Sequence, residues 1–87
     1  MTYSADYSRE ARNYLRKAPP ADRRRLFARV ELICEDPFNG NVSKPLQGRL
    51  DGTRSSRVGN FRIIFEVVQG ELLVSVVKIG PRGDVYG

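Results

Sequence analysis

The stretch Arg54-Ser-Ser-Arg57-Val-Gly-Asn-Phe61-Arg62-Ile-Ile-Phe-Glu-Val-Val-Gln69-Gly70-Glu-Leu-Leu-Val-Ser-Val-Val-Lys78-Ile79 reads as a three-stranded antiparallel meander. Gly59-Asn60 stands between Val58 and Phe61 as a two-residue loop, of the composition that hairpin turns favour because both residues tolerate φ > 0. Gln69-Gly70 marks the second reversal. Pairing outward from a two-residue turn sets Val58 against Phe61 and Arg57 against Arg62 on one side of the sheet. Like charges so opposed cost from a few tenths to about 1 kcal/mol. Either the two guanidinium groups splay into solvent or an anion visits them. Arg54, Lys78 and Arg82 lie in the same segment or at its exit and favour the anion.

On the second strand of the meander Phe61, Ile63, Phe65 and Val67 share one face, and Arg62, Ile64, Glu66 and Val68 the other. The last strand, Leu72 to Ile79, is apolar almost throughout and suits an interior place in the sheet. A two-residue loop at Gln69-Gly70 sets Lys78 opposite Phe61; a three-residue loop sets it opposite Arg62. Gly80-Pro81 ends the strand and leaves Arg82 and Tyr86 on a short tail.

Upstream, Tyr3, Ala5 and Tyr7 alternate with Thr2, Ser4 and Asp6, the pattern of a first strand. Ser8 is placed to cap a helix in which Ala11, Tyr14, Leu15 and Ala18 repeat at helical spacing, and Pro19-Pro20 ends it. Pro20 opens a second helix with an apolar stripe of Leu26, Phe27, Val30, Ile33 and Cys34, stopped by Asp36-Pro37. The helical hairpin should lay both stripes on one face of the sheet. The expectation is an α+β fold: an N-terminal strand, a helical hairpin, then the three-stranded antiparallel meander, with residues 1–87 as one domain. Phe38 to Thr53 reads as loop and connecting segment, with Leu46 and Leu50 anchoring it to the core. Lys44 and Arg49 on it either rim an anion site or keep a loop soluble.

At 87 residues the chain is near the lower limit for a core that holds without metal or disulfides. A single cysteine, Cys34, allows no intrachain disulfide, and with no histidine a zinc site lacks its usual ligands. Cys34 reads as a buried small hydrophobe. No cofactor or metal is expected. No apolar run approaches the ~20 residues of a membrane span, and the first residues lack the apolar stretch of a signal peptide. A cytoplasmic location away from membranes follows.

The net charge of +5, from 15 Lys and Arg against 10 Asp and Glu, favours a polyanionic partner. Residues 38–87 carry 7 basic and 4 acidic side chains, most of the basic ones near the sheet. The run Arg23-Arg24-Arg25 reads as a solvated face, because three adjacent residues fan around about 200° of a helix. With RNA as the polyanion, metal-free cleavage needs a group to take the 2′-OH proton, cations for the charge on the phosphorane and a donor to the leaving oxygen. Arg57, Arg62 and Arg82 can clamp phosphate bidentately. Tyr86 can stack on a base, donate a proton or cover the sheet edge. Acyl transfer, nucleotide hydrolysis and glycoside chemistry lack their residues: no Ser/His/Asp set, no Gly-rich phosphate loop and no carboxylate pair at a convincing separation is present.

Three segments, Lys44-Pro-Leu-Gln-Gly-Arg-Leu-Asp-Gly-Thr53, Arg57-Val-Gly-Asn-Phe-Arg-Ile-Ile-Phe-Glu-Val67 and Val76-Val-Lys-Ile-Gly-Pro-Arg-Gly-Asp-Val-Tyr86, resemble the RelE group of the RelE/ParE toxins of bacterial toxin–antitoxin pairs. The resemblance covers most of the chain. It implies a metal-independent, ribosome-dependent endoribonuclease that cuts mRNA, inhibits translation and is restrained by a cognate antitoxin. Its partners would be that antitoxin, the ribosome and mRNA, with no small-molecule cofactor. It implies a catalytic set of Arg62, Arg82 and Tyr86, with Arg57 as the basic residue before the hairpin. With RNA as the partner, the basic residues of the sheet and the segment before it, Lys44, Arg49, Arg54, Arg57 and Lys78, are the expected RNA-binding surface. Two departures stand out: Pro81 replaces the histidine that many relatives carry before the tail arginine, and Thr53 and Ser55 stand where better-known nucleases carry lysines. Both remove proton-transfer groups. The ParE branch shares the scaffold and poisons DNA gyrase instead, so the alternatives are a gyrase inhibitor without nuclease chemistry, or a weak toxin acting mainly by binding its antitoxin.

Overall fold

The computed structural model describes residues 2–48 and 52–81. The elements follow as β1 (Ser4–Tyr7), α1 (Arg9–Lys17), α2 (Pro20–Glu35), β2 (Lys44–Pro45), β3 (Arg54–Val58), β4 (Phe61–Val68) and β5 (Leu73–Pro81). The strands make one sheet in the order β1-β5-β4-β3-β2, with β1 parallel to β5 and the other pairs antiparallel. Both helices pack on it, giving the α+β arrangement the pattern implied.

Local chemistry explains each boundary. Ser8 caps α1 with its hydroxyl oxygen accepting from the Ala11 N–H at 3.0 Å, while the same hydroxyl donates to the Val77 carbonyl at 2.6 Å. One side chain thus fixes the start of α1 and ties it to β5. Pro20 occupies the first position of α2, where a missing N–H is harmless. The end of α1 is closed from outside: Arg23 donates to the carbonyls of Leu15 (2.9 Å), Arg16 (3.3 Å) and Ala18 (2.9 Å). The Leu15 carbonyl also accepts from the Ala18 N–H, while Arg23 supplies the Arg16 and Ala18 carbonyls at a terminus where the helix itself provides too few donors.

The core is built from Ala11 and Leu15 of α1, Leu26, Val30, Ile33 and Cys34 of α2, and Val58, Ile63, Phe65, Val74, Val76 and Ile79 of the sheet. Burial, reinforced by the charge of Glu31, pushes the Cys34 thiol pKa up, so the residue behaves as a small hydrophobe. Phe27 departs from the expected stripe. It stays 40% exposed and meets Tyr7 edge-on at 6.0 Å between ring centroids.

The β3–β4 hairpin has the expected register, Val58 against Phe61 and Arg57 against Arg62, with Gly59 at φ +58° in the turn. A Cβ at Gly59 would overlap the guanidinium of Arg25, which lies across the turn. The second reversal departs from both expected loop lengths. Val68 pairs with Leu73, so the turn takes four residues, and a bulge at Val77 shifts the register by one more. Lys78 therefore stands opposite Ile64, not Phe61 or Arg62. The strand also begins at Leu73 and runs on through Gly80 to Pro81, which pair with Arg62 and Phe61.

Lys44 and Pro45, which open the expected connecting segment, form a short edge strand paired with Ser55 and Arg54. Leu46 lines a surface cleft and is not part of the core cluster; Leu50 lies outside the described residues.

Candidate functional site

Strand parity sorts the basic residues of the hairpin. Arg57 and Arg62 face each other on the side of the sheet opposite Val58, Ile63 and Phe65. In a two-residue hairpin the pair next to the turn exchanges hydrogen bonds, and the pair beyond it, here Arg57 and Arg62, does not. Side chains of such a pair come closer, with Cα atoms about 4.5 Å apart. The Arg57 carbonyl is consequently turned away from β4 toward the open edge of β3.

At that edge lies a cleft of ≈ 290 Å³. Arg57 and Arg62 line it from the hairpin, Ser55 and Lys44 from the paired β2 and β3, and Gly40 to Leu46 form its far wall. The wall is pinned by short polar contacts. The Ser56 hydroxyl donates to the Val42 carbonyl at 2.7 Å, and the Ser43 hydroxyl to the Pro37 carbonyl at 3.0 Å. The Asn39 carbonyl accepts from the N–H groups of Val42 and Ser43. This fixes the segment entering β2 and sets Lys44 on the side of the sheet carrying Ser55, Arg57 and Arg62.

A fourth cation comes from α2. Arg29 lines the cleft and donates from one terminal nitrogen to the Arg57 carbonyl at 2.9 Å and to the Ser56 hydroxyl at 3.3 Å. Sequence periodicity had no means of finding it: Arg29 lies outside the apolar stripe of its helix and meets Arg57 only once the layers are stacked. No carboxylate, histidine, tyrosine or cysteine is among the described residues lining the cleft. The surface offers cations and polar groups to an anion, and no strong proton acceptor.

Two expected members of the RNA-binding surface have other work. Arg54 pairs with Phe65, which places it on the helix-facing side. Its Nε donates to the Ser43 hydroxyl at 2.8 Å, its terminal nitrogen donates to the Ser43 carbonyl at 3.1 Å, and its guanidinium lies 5.4 Å from the centre of the Phe38 ring. It buttresses the cleft wall from behind. Lys78 is drawn to α1, with Nζ 4.0 Å from Glu10 Oε2, and does not line the cleft. The Arg23-Arg24-Arg25 run fans out as helix geometry requires, but only Arg24 is simply solvated: Arg23 closes α1 and Arg25 covers Gly59. Arg49, Arg82 and Tyr86 lie outside the described residues.

A two-helix, five-stranded RelE-like fold bearing this basic cleft defines a type II toxin of the RelE/ParE superfamily. The family model of the ParE toxin of the type II toxin–antitoxin system parDE matches residues 3–86, and the chain belongs to that family. Toxin RelG of Mycobacterium tuberculosis is 32% identical over 90 residues, covering 99% of this chain and 98% of that protein. Among solved structures, the RelBE2 toxin–antitoxin complex of M. tuberculosis superposes with a TM-score of 0.86 at 26% identity, over 97% of this chain and 95% of the other. The fold also matches the intact Escherichia coli RelBE complex, with a TM-score of 0.78 at 20% identity, over 91% and 95% of the two chains.

Proposed function

We propose that this toxin is a metal-independent mRNA endoribonuclease that acts on the ribosome and thereby inhibits translation in the cytoplasm. The observation that carries the reading is the opposed Arg57–Arg62 pair at the mouth of a cleft that also holds Lys44 and, among its described residues, no carboxylate. Two guanidinium groups held side by side, at a cost to the fold, match the charge that builds on a phosphorane when a 2′-OH attacks its own phosphodiester. Arg62 bears on the scissile phosphate, with Arg57 and Lys44 on the flanking backbone. The resemblance adds Arg82 and Tyr86 of the tail as phosphate ligand and as base-stacking or proton-donating group.

Acid–base chemistry is the weak part of this site. The described cleft residues include no histidine, carboxylate, tyrosine or cysteine, the groups that most often transfer protons in such a reaction. Cleavage is therefore slow on free RNA and efficient only where ribosome-bound substrate completes the geometry. The RelBE2 relative is a toxin–antitoxin complex, and a cognate antitoxin of this chain neutralises the basic face by binding over it.

The test is expression of the chain without antitoxin, as wild type and Arg62→Ala, with mRNA 5′ ends mapped during the following minutes. Cuts at fixed codon positions in the wild type alone support the reading; growth arrest without them contradicts it. A second reading is favoured by one finding, the match of the whole domain to the ParE model together with a cleft poor in proton-transfer groups. It makes the chain a gyrase inhibitor without nuclease chemistry, and DNA damage with intact mRNA is its signature.

A further inference from the structure

Arg29 is a third guanidinium beside an already repulsive pair. Its two hydrogen bonds go to a neutral carbonyl and a neutral hydroxyl, partners that a neutral N–H donor of the same reach would also serve, though more weakly. A positive charge is not demanded by these partners and is electrostatically costly there, since it adds like-charge repulsion to that of Arg57 and Arg62. Both bonds come from one terminal nitrogen. The guanidinium is thus held by one corner, and its remaining N–H groups stay available along the cleft it lines. The neighbouring arginines of α2 differ in this respect: Arg23 spends its guanidinium on three carbonyls at the end of α1, and Arg25 lies on the hairpin turn.

We infer that Arg29 contacts a backbone phosphate of the single-stranded RNA held by Arg57 and Arg62, an inference that rests on the RNA reading of the cleft. One side chain then does two things. It locks the Arg57 backbone through a hydrogen bond and contributes a fixed cation from the helical layer, so that the RNA backbone is gripped from both layers of the fold. Because Arg57 and Arg29 are joined, a phosphate on one orders the other, and the fork geometry suits a non-bridging oxygen pair.

Phosphate contact has a signature that scaffolding lacks. For single-stranded nucleic acid, the slope of log affinity against log salt changes by about 0.7 for each phosphate neutralised. The experiment measures binding of a single-stranded 2′-O-methyl RNA, which cannot be cut through its 2′ position, by fluorescence anisotropy across a KCl series. It compares wild type, Arg29→Gln, Arg29→Lys and Arg24→Gln. Arg29→Gln loses the charge and, with a side chain two bonds shorter, loosens the hold on the Arg57 carbonyl, whereas Arg29→Lys keeps the charge without the fork; Arg24→Gln loses the same charge from an exposed site outside the cleft. The expected result is a slope shallower by about 0.7 for Arg29→Gln, restored in Arg29→Lys and unchanged in Arg24→Gln. Thermal unfolding of each variant reports separately on the scaffold. A wild-type slope in Arg29→Gln overturns the inference while leaving the RNA reading intact. A wild type that does not bind the RNA overturns the inference, and the mapping of mRNA 5′ ends tests the RNA reading by itself.

Discussion

Arg57 and Arg62 stand directly opposite each other across the β3–β4 ladder, two cations in a position where an opposite charge or an apolar pair would serve the sheet better. The arrangement costs stability, and in the proposed reading the same two side chains bind RNA. Replacing Arg57 by threonine should therefore raise stability by about 0.2–1 kcal/mol while lowering RNA affinity. The gain should shrink as salt screens the pair. Urea denaturation at low and high salt, run beside RNA binding, checks this; a variant that loses both stability and binding would show the pair to be structural.

Arg54 should behave in the opposite way. It ties Ser43 to β3 through two hydrogen bonds and covers Phe38, so Arg54→Ala should cost about 2 kcal/mol by leaving the Ser43 groups without their charged donor. Arg54→Lys should recover only part of this, because one ammonium cannot reproduce a two-nitrogen fork. Activity per folded molecule should be unchanged. Chemical denaturation and toxicity measured on the same variants decide whether the residue belongs to the scaffold or the site.

At the hairpin turn, Gly59→Ala should destabilise by about 1–2 kcal/mol, since φ +58° is a left-handed conformation that a Cβ disfavours. The added methyl also meets Arg25, but at the mobile end of a side chain. Combining Gly59→Ala with Arg25→Ala should therefore relieve little of the loss, and full recovery in the double variant would assign the cost to the steric contact.

Alkaline conditions should weaken the fold through three acids whose neutral forms it favours. Burial raises the pKa of Cys34 above 9.0 and those of Tyr7 and Tyr14 above 10.0, with smaller contributions from the charges of Glu31 on Cys34 and Asp22 on Tyr14. A raised folded pKa means that the stabilisation is complete below these ordinary values and is lost as pH rises through the raised ones. Urea midpoints should stay level up to the ordinary thiol value and decline above it. Cys34→Ala, though less stable throughout, should delay the onset toward the tyrosine range. Midpoints independent of pH across this window would contradict the assignment.

Legibility in the sequence followed the range of the interactions. The β3–β4 hairpin was readable because Gly59-Asn60 dictates its own turn, and the helices because Ser8, Pro20 and the apolar spacing act locally. β2 was not, since two residues ending in proline show neither alternation nor strand propensity, and Lys44 and Pro45 become a strand only by pairing with Ser55 and Arg54. Lys78 was misplaced because the four-residue turn and the Val77 bulge each add a residue that composition does not announce. Arg54 is a different matter. It lies three residues from Arg57, an odd separation that puts the two on opposite faces of any regular strand, so parity alone separates them. Arg29 depended wholly on how α2 stacks on the sheet.

In the proposed reading the Arg57–Arg62 cleft is where this toxin engages mRNA. Purified wild type and Arg62→Ala, refolded in parallel and matched by circular dichroism, should be given ribosomes stalled with a defined codon in the A site, and a second aliquot of each should be given gyrase and supercoiled DNA. The expected result is a cut in the ribosome-bound mRNA by wild type alone, with gyrase unaffected. Intact mRNA together with gyrase-trapped DNA breaks, or cutting that persists in Arg62→Ala, would contradict it.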